Sequence, residues 1–149
     1  MRAFLFLLVI TIVSCSSGND QPLVVRQFHL KDTKPTHHDA MMVRGEQQYH
    51  LRGAVTLAER ENRKGQYYTI AWKNTAGQPT HVVMDYQQAA TGSKVLRKTH
   101  NLPAATPSGK VEFHVTGENY RTQGRVLSWR VRLMQGKKVL SEKRSYLWR

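Results

Sequence analysis

The chain has 149 residues, with 23 Lys and Arg against 10 Asp and Glu, and its formal charge of +13 means that any partner meets a strongly basic surface. This length suits one domain and is short for two, and a single cysteine excludes an intrachain disulfide framework. No glycine-rich phosphate loop, G-x-S-x-G or H-E-x-x-H frame is present, so the chemistries those motifs carry have no basis here. The N-terminus opens with Met1-Arg2 and then AFLFLLVITIV, residues 3–13, eleven residues without a charge. A spanning helix needs roughly 20 such residues, because each adds about 1.5 Å against a hydrocarbon slab about 30 Å thick. A basic start, a short apolar run and an abrupt change to SSGND instead have the composition of an export signal. Ordinary secretory cleavage wants small residues at the last and third-last signal positions, whereas Ser14 and Ile12 stand there ahead of Cys15.

Ile12, Val13, Ser14 and Cys15 resemble the lipobox of bacterial lipoproteins, in which a branched or leucine residue, a tolerant position and a small residue precede an obligatory cysteine. The chain departs from the commoner pattern in having Ile12 for leucine and a short signal with one positive charge. The resemblance implies cleavage between Ser14 and Cys15, a diacylglyceryl thioether on Cys15 and usually an N-acyl group as well. A thiolate suits that step as the strongest side-chain nucleophile near neutral pH, and two or three acyl chains anchor stably where one is marginal. Three segments follow: a signal over residues 1–14, a lipidated cysteine and tether over 15–21, and a folded domain over 22–149. The tether, residues 16–21, reaches at most about 20 Å at roughly 3.4 Å per residue, so the domain stays near the bilayer. Loss of Arg2 with the signal lowers the formal charge from +13 to +12. In the lipoprotein family Ser16 after the cysteine, instead of aspartate, is compatible with outer-membrane sorting, facing the periplasm in a diderm cell.

The rest reads as strands nearly throughout. PLVVRQFHL (22–30) is a first strand and KDTKPTHHDA a connection with Asp32, Pro35 and Asp39 as breakers. YHLRGAVTLAER (49–60) fits either period, and Gly53 with the β-branched residues favours a strand. ERENRKG then closes on Gly65 as a turn or one helical turn. In QYYTIAWKN, Tyr68, Ile70 and Trp72 alternate with Tyr67, Thr69 and Ala71; in THVVMDYQQ, Val82, Met84 and Tyr86 oppose Val83, Asp85 and Gln87. SKVLRKTH is a further strand, and KVEFHVTG sets Val111, Phe113 and Val115 against Glu112, His114 and Thr116. RVLSWRVRLM places Leu127, Trp129, Val131 and Leu133 inward with Ser128, Arg130 and Arg132 outward, and KKVLSEKRSYLW returns through Gln135-Gly136 as its hairpin partner.

Seven or eight short strands separated by turns, with no long helical stretch, predict an all-β, antiparallel two-sheet sandwich. An open or barrel-like arrangement is the alternative. Trp72, followed by KNTAGQPTHVVMDYQ, resembles the middle of fibronectin type III and other immunoglobulin-like domains, in which a tryptophan packs between the sheets. The body also resembles uncharacterised bacterial lipoproteins, a likeness that implies no activity.

Chemistry-bearing residues are sparse. His37, His38, Asp39 and His50 are possible zinc or copper ligands, and they carry the alternative reading of a metal-binding protein or metal-dependent enzyme. Adjacent histidines in a strand point to opposite faces, and no C-x-x-C pair or H-x-x-x-H helix supports them, so a solvated loop is the simpler reading. No catalytic residue and no cofactor are expected. The basic surplus has more functional content: Arg130 and Arg132 share an outward strand face, and Lys143 and Arg144 lie on the neighbouring hairpin. Together they predict a surface for an anionic partner, whether cell-wall polymer, lipid headgroups or an acidic protein, beside a membrane reached through Cys15. Basic residues also blunt edge strands and keep a protein soluble. Nucleic acid is not an expected partner of an exported lipoprotein, and the oligomeric state is left open.

Overall fold

A computed structural model of the chain describes residues 21–34, 39–74, 78, 80–103 and 106–149. The signal, the cleavage position at Ser14, the acylation position at Cys15, and His37 and His38 lie outside the described residues. Among the described residues seven strands run in the order β1 (Leu23–Leu30), β2 (Gly65–Lys73), β3 (Thr80–Gln88), β4 (Leu96–Leu102), β5 (Ser108–Thr116), β6 (Val126–Gln135) and β7 (Lys138–Arg144). Three α-helices join them there: α1 (Met41–Leu51) and α2 (Leu57–Arg63) between β1 and β2, and α3 (Gly117–Gln123) between β5 and β6, with a 3-10 turn at Ala89–Thr91 after β3. No helix among the described residues is long and apolar enough to cross a membrane.

The strands form one sheet of three, β1-β2-β5, and one of four, β4-β3-β6-β7, antiparallel throughout. The chain changes sheet between β2 and β3, β4 and β5, and β5 and β6, so the result is the two-sheet sandwich that the alternating pattern predicts, with the immunoglobulin-like strand order that the resemblance around Trp72 implies. Alternation builds the core directly. Tyr68, Ile70 and Trp72 of β2 and Val111, Phe113 and Val115 of β5 meet Val82, Met84 and Tyr86 of β3 and Val131 and Leu133 of β6. Gln66 clips the sheets at one end, its side-chain amide donating to the Val126 carbonyl while its side-chain oxygen accepts from the Val126 amide. Lys98 does so at the β4 edge, donating to the His114 carbonyl at 2.6 Å.

Two expectations are corrected. Residues 49–60 are not a strand but the end of α1, a short link and the start of α2. The T-x-x-E sequence of Thr56 and Glu59 forms a capping box: Thr56 Oγ1 accepts from the Glu59 amide at 3.2 Å, and Glu59 Oε2 accepts from the Thr56 amide at 2.9 Å. Gly53 adopts φ +80° just past α1, the left-handed conformation that ends helices, so it marks a terminus and not a strand. The second correction concerns Leu127, which is 41% exposed while Val126 is buried. Leu127 is itself the extra residue of a β-bulge, since Gln87 pairs with Ser128 and Gln88 with Val126, and the bulge brings Val126 into the core position.

Candidate functional site

The outer face of the four-stranded sheet carries the predicted basic residues. Register aligns Arg97, Asp85, Arg130 and Arg144 in one row across β4, β3, β6 and β7. Same-row residues of an antiparallel sheet point to the same side, so four charged side chains are forced together. Asp85 is fully buried and accepts from Arg97 Nε at 2.6 Å, Arg130 Nη2 at 3.1 Å and Arg132 Nη2 at 2.6 Å. Burial pushes the Asp85 carboxyl up, but hydrogen bonds from Arg97 and Arg130 and the charge of Arg132 outweigh it and hold the group below the usual carboxylate range.

One carboxylate neutralises one of three guanidinia, so the cluster keeps a positive excess. The Nε atoms of Arg130 and Arg132 are buried without a hydrogen-bond partner, and the Trp148 ring lies 5.0 Å from the Arg130 guanidinium carbon. Arg144 is exposed beside this cluster. Lys143 pairs with Val131, whose side chain enters the core, so Lys143 points to the opposite side of β7 from Arg144. The structure thus brings Arg130, Arg132 and Arg144 to one face and turns Lys143 away from it.

The outer face of the three-stranded sheet is different in kind. Phe28, Tyr67 and His114 form a row across β1, β2 and β5, and α1 lays His50 on it. The His50 ring stacks between Tyr67 at 3.8 Å and Phe28 at 5.3 Å between centroids, and it is 5% exposed. Tyr67 donates its hydroxyl proton to the Arg63 carbonyl at 2.6 Å, tying β2 to the end of α2. Beside this stack the ends of α1 and α2 and the strands β2 and β5 enclose an open cleft of about 620 Å³. Tyr49, Arg52 and Arg63 line one side of it, and Glu112, His114 and Thr116 the other. Burial lowers the pKa of both His50 and His114, and at His114 the charge of Lys98 adds to the effect.

Of the alternative metal set, the described residues are Asp39 and His50, and His50 Nε2 lies 3.6 Å from Glu46 Oε2. No group of three or more His, Cys, Asp or Glu side chains that could hold a metal occurs among the described residues. Sequence reasoning missed the cleft. Glu112, His114 and Thr116 alternate visibly to one side of β5, but with residues 49–60 read as a strand nothing stood opposite them.

No protein-family model matches the chain, and no curated protein matches it. Among solved structures it is similar to an immunoglobulin-like protein from Pseudomonas aeruginosa, with 17% identity and a TM-score of 0.37 over 54% of this chain and 68% of that one. The fold assignment rests on this chain's own strand order and register.

Proposed function

We propose that the chain is a lipid-anchored, non-catalytic protein of the bacterial envelope whose basic sandwich binds an anionic partner through the outer face of the four-stranded sheet. The observation that carries this reading is the arginine cluster of that face. Arg97, Arg130, Arg132 and Arg144 lie there with Asp85 and Glu142, four cations against two carboxylates, whereas Lys98 donates across to β5 and Lys143 points the other way. The Arg97, Asp85, Arg130 and Arg144 row places that excess on a surface that no helix among the described residues covers. Guanidinia held in place by a buried carboxylate are already ordered, so an incoming phosphate or carboxylate meets preset forks at a lower entropic cost. The lipobox at residues 12–15 supplies the anchor, and it would keep this surface near anionic headgroups and wall polymer.

The test uses a form beginning at Ser16, which retains every described strand and helix, with isolated cell wall and phosphatidylglycerol-rich vesicles as binding surfaces. Retention should fall as salt shortens the Debye length from about 10 Å at 0.1 M toward about 3 Å at 1 M. It should fall again in an Arg144→Gln variant, since that side chain is exposed on this face. Arg130 and Arg132 are unsuitable first targets because their loss strands the Asp85 carboxylate. Retention indifferent to salt and to this substitution would remove the electrostatic reading. For the anchor, Cys15→Ala should stay uncleaved or lose its acyl mass, and normal maturation of that variant would refute it.

A further inference from the structure

The cleft on the three-stranded sheet is not used by the anionic-partner surface, and its lining is unlike that of a pocket for an apolar ligand. Polar groups converge there with much of their bonding capacity unspent. Among the described residues the Glu112 carboxylate and the His114 ring make no hydrogen bond, and the Arg52 guanidinium only lies over the Tyr49 ring at 5.8 Å. Arg63 donates from Nη1 to the His50 carbonyl at 3.3 Å and keeps its other donors. Neither arginine forms an ion pair with Glu112, so these groups do not satisfy one another. The Tyr49 ring, 58% exposed at the end of α1, offers a flat apolar surface next to them.

That combination narrows the ligand. Guanidinium, carboxylate and imidazole are planar, directional groups that pair with neighbouring hydroxyls, and an exposed aromatic ring takes the C–H face of a sugar. Two guanidinia against one carboxylate favour a ligand that brings a negative charge of its own, and an arginine fork matches a carboxylate in geometry as well as charge. We propose that the cleft binds an acidic saccharide, the sugar ring against Tyr49, its carboxylate toward Arg52 and Arg63, and its hydroxyls toward Glu112, His114 and Thr116. The cleft is open, so a chain end or an internal unit of a polymer can enter it.

The experiment titrates the full chain, in a nonionic detergent, with digalacturonate and with neutral digalactose, following amide shifts and heats. Digalacturonate should bind at least about tenfold more tightly, a difference of about 1.4 kcal/mol, and shift the amides of Tyr67, His114 and Thr116. Arg52→Gln and Tyr49→Ala should each weaken it about fivefold or more, with unchanged melting temperature because both side chains are exposed. Arg144→Gln should leave the titration unchanged, so failure here is distinguishable from failure of the basic-surface reading. Equal affinity for the two sugars, shifts remote from the cleft, indifference to Arg52→Gln and Tyr49→Ala, or no binding up to about 10 mM would overturn the proposal.

Discussion

Arg97, Asp85, Arg130 and Arg144 cross the outer face of the four-stranded sheet with none of the described helices over them, whereas Phe28, Tyr67 and His114 cross the three-stranded sheet beneath α1. Both rows bury groups on the side of a sheet that a sandwich core does not use. In the first, burial comes from the side chains themselves: three long arginines fold over Asp85, with Arg97 the most exposed of them. In the second, a helix supplies an imidazole that fills the space between two aromatic rings. The arginine row is therefore held by charge and open to an anion, while the aromatic row is held by packing and leaves a cleft at its margin.

If that contrast is right, the largest effect follows from breaking the buried charge. Asp85→Asn should cost about 3 kcal/mol, because it removes the carboxylate from among three guanidinia, and the midpoint of denaturant unfolding would show it. Arg97→Gln should cost about 1 kcal/mol or less, since the Arg97 side chain is 61% exposed and its pair with Asp85 is screened. On the aromatic face, His50→Ala should cost about 2 kcal/mol through the cavity left between Phe28 and Tyr67, and calorimetry should also show a lower melting temperature.

The two faces should also separate on a pH axis. His50 and His114 have folded pKa values below the unfolded value near 6.5, so in the interval between the two the unfolded chain binds more protons than the folded one. Their contribution is fully present above about pH 6.5 and is lost as pH falls through the folded values. Asp85, also depressed, holds its contribution down to about pH 4 and loses it only as pH falls through a lower folded value. Melting temperature against pH should therefore decline first by the histidine term, and His50→Phe, which keeps the ring stack, should flatten the slope between pH 7 and 5. A slope unchanged in that variant would place the mild-acid sensitivity elsewhere, with His29 the next group to test because burial and Lys31 lower it too. The smallest effect is expected at Arg144→Gln: stability within about 0.5 kcal/mol of the parent, with retention on anionic surfaces alone reduced.

Much of the sandwich was legible because a strand with one buried face repeats every two residues, a period that β5 keeps along its length and β2 keeps from Tyr68 to Trp72. The outward positions of Asp85, Arg130 and Arg132 followed from the same alternation. Residues 41–63 were not legible as helices. α1 buries only Gln47 and His50, so no apolar stripe announces it, and Met41 and Met42 are exposed. The available signal was the T-x-x-E box at Thr56 and Glu59, a capping interaction independent of hydrophobic period. Leu127 misled for another reason: it is the extra residue of a bulge, which changes the phase of the strand, and nothing in the local pattern of β6 marks it.

By itself, then, the sequence determined the two-sheet antiparallel sandwich, though not the helices beside it, together with the inward-facing residues of the regular strands and the basic charge, because alternation and composition are local properties. Tertiary structure alone decided that Arg97, Arg130 and Arg132 share one carboxylate, that Lys143 faces away from Arg144, and that α1 and α2 close a cleft over β2 and β5. Those outcomes depend on which strands become neighbours and in what register, and a one-residue shift would have moved every one of these side chains to the other face.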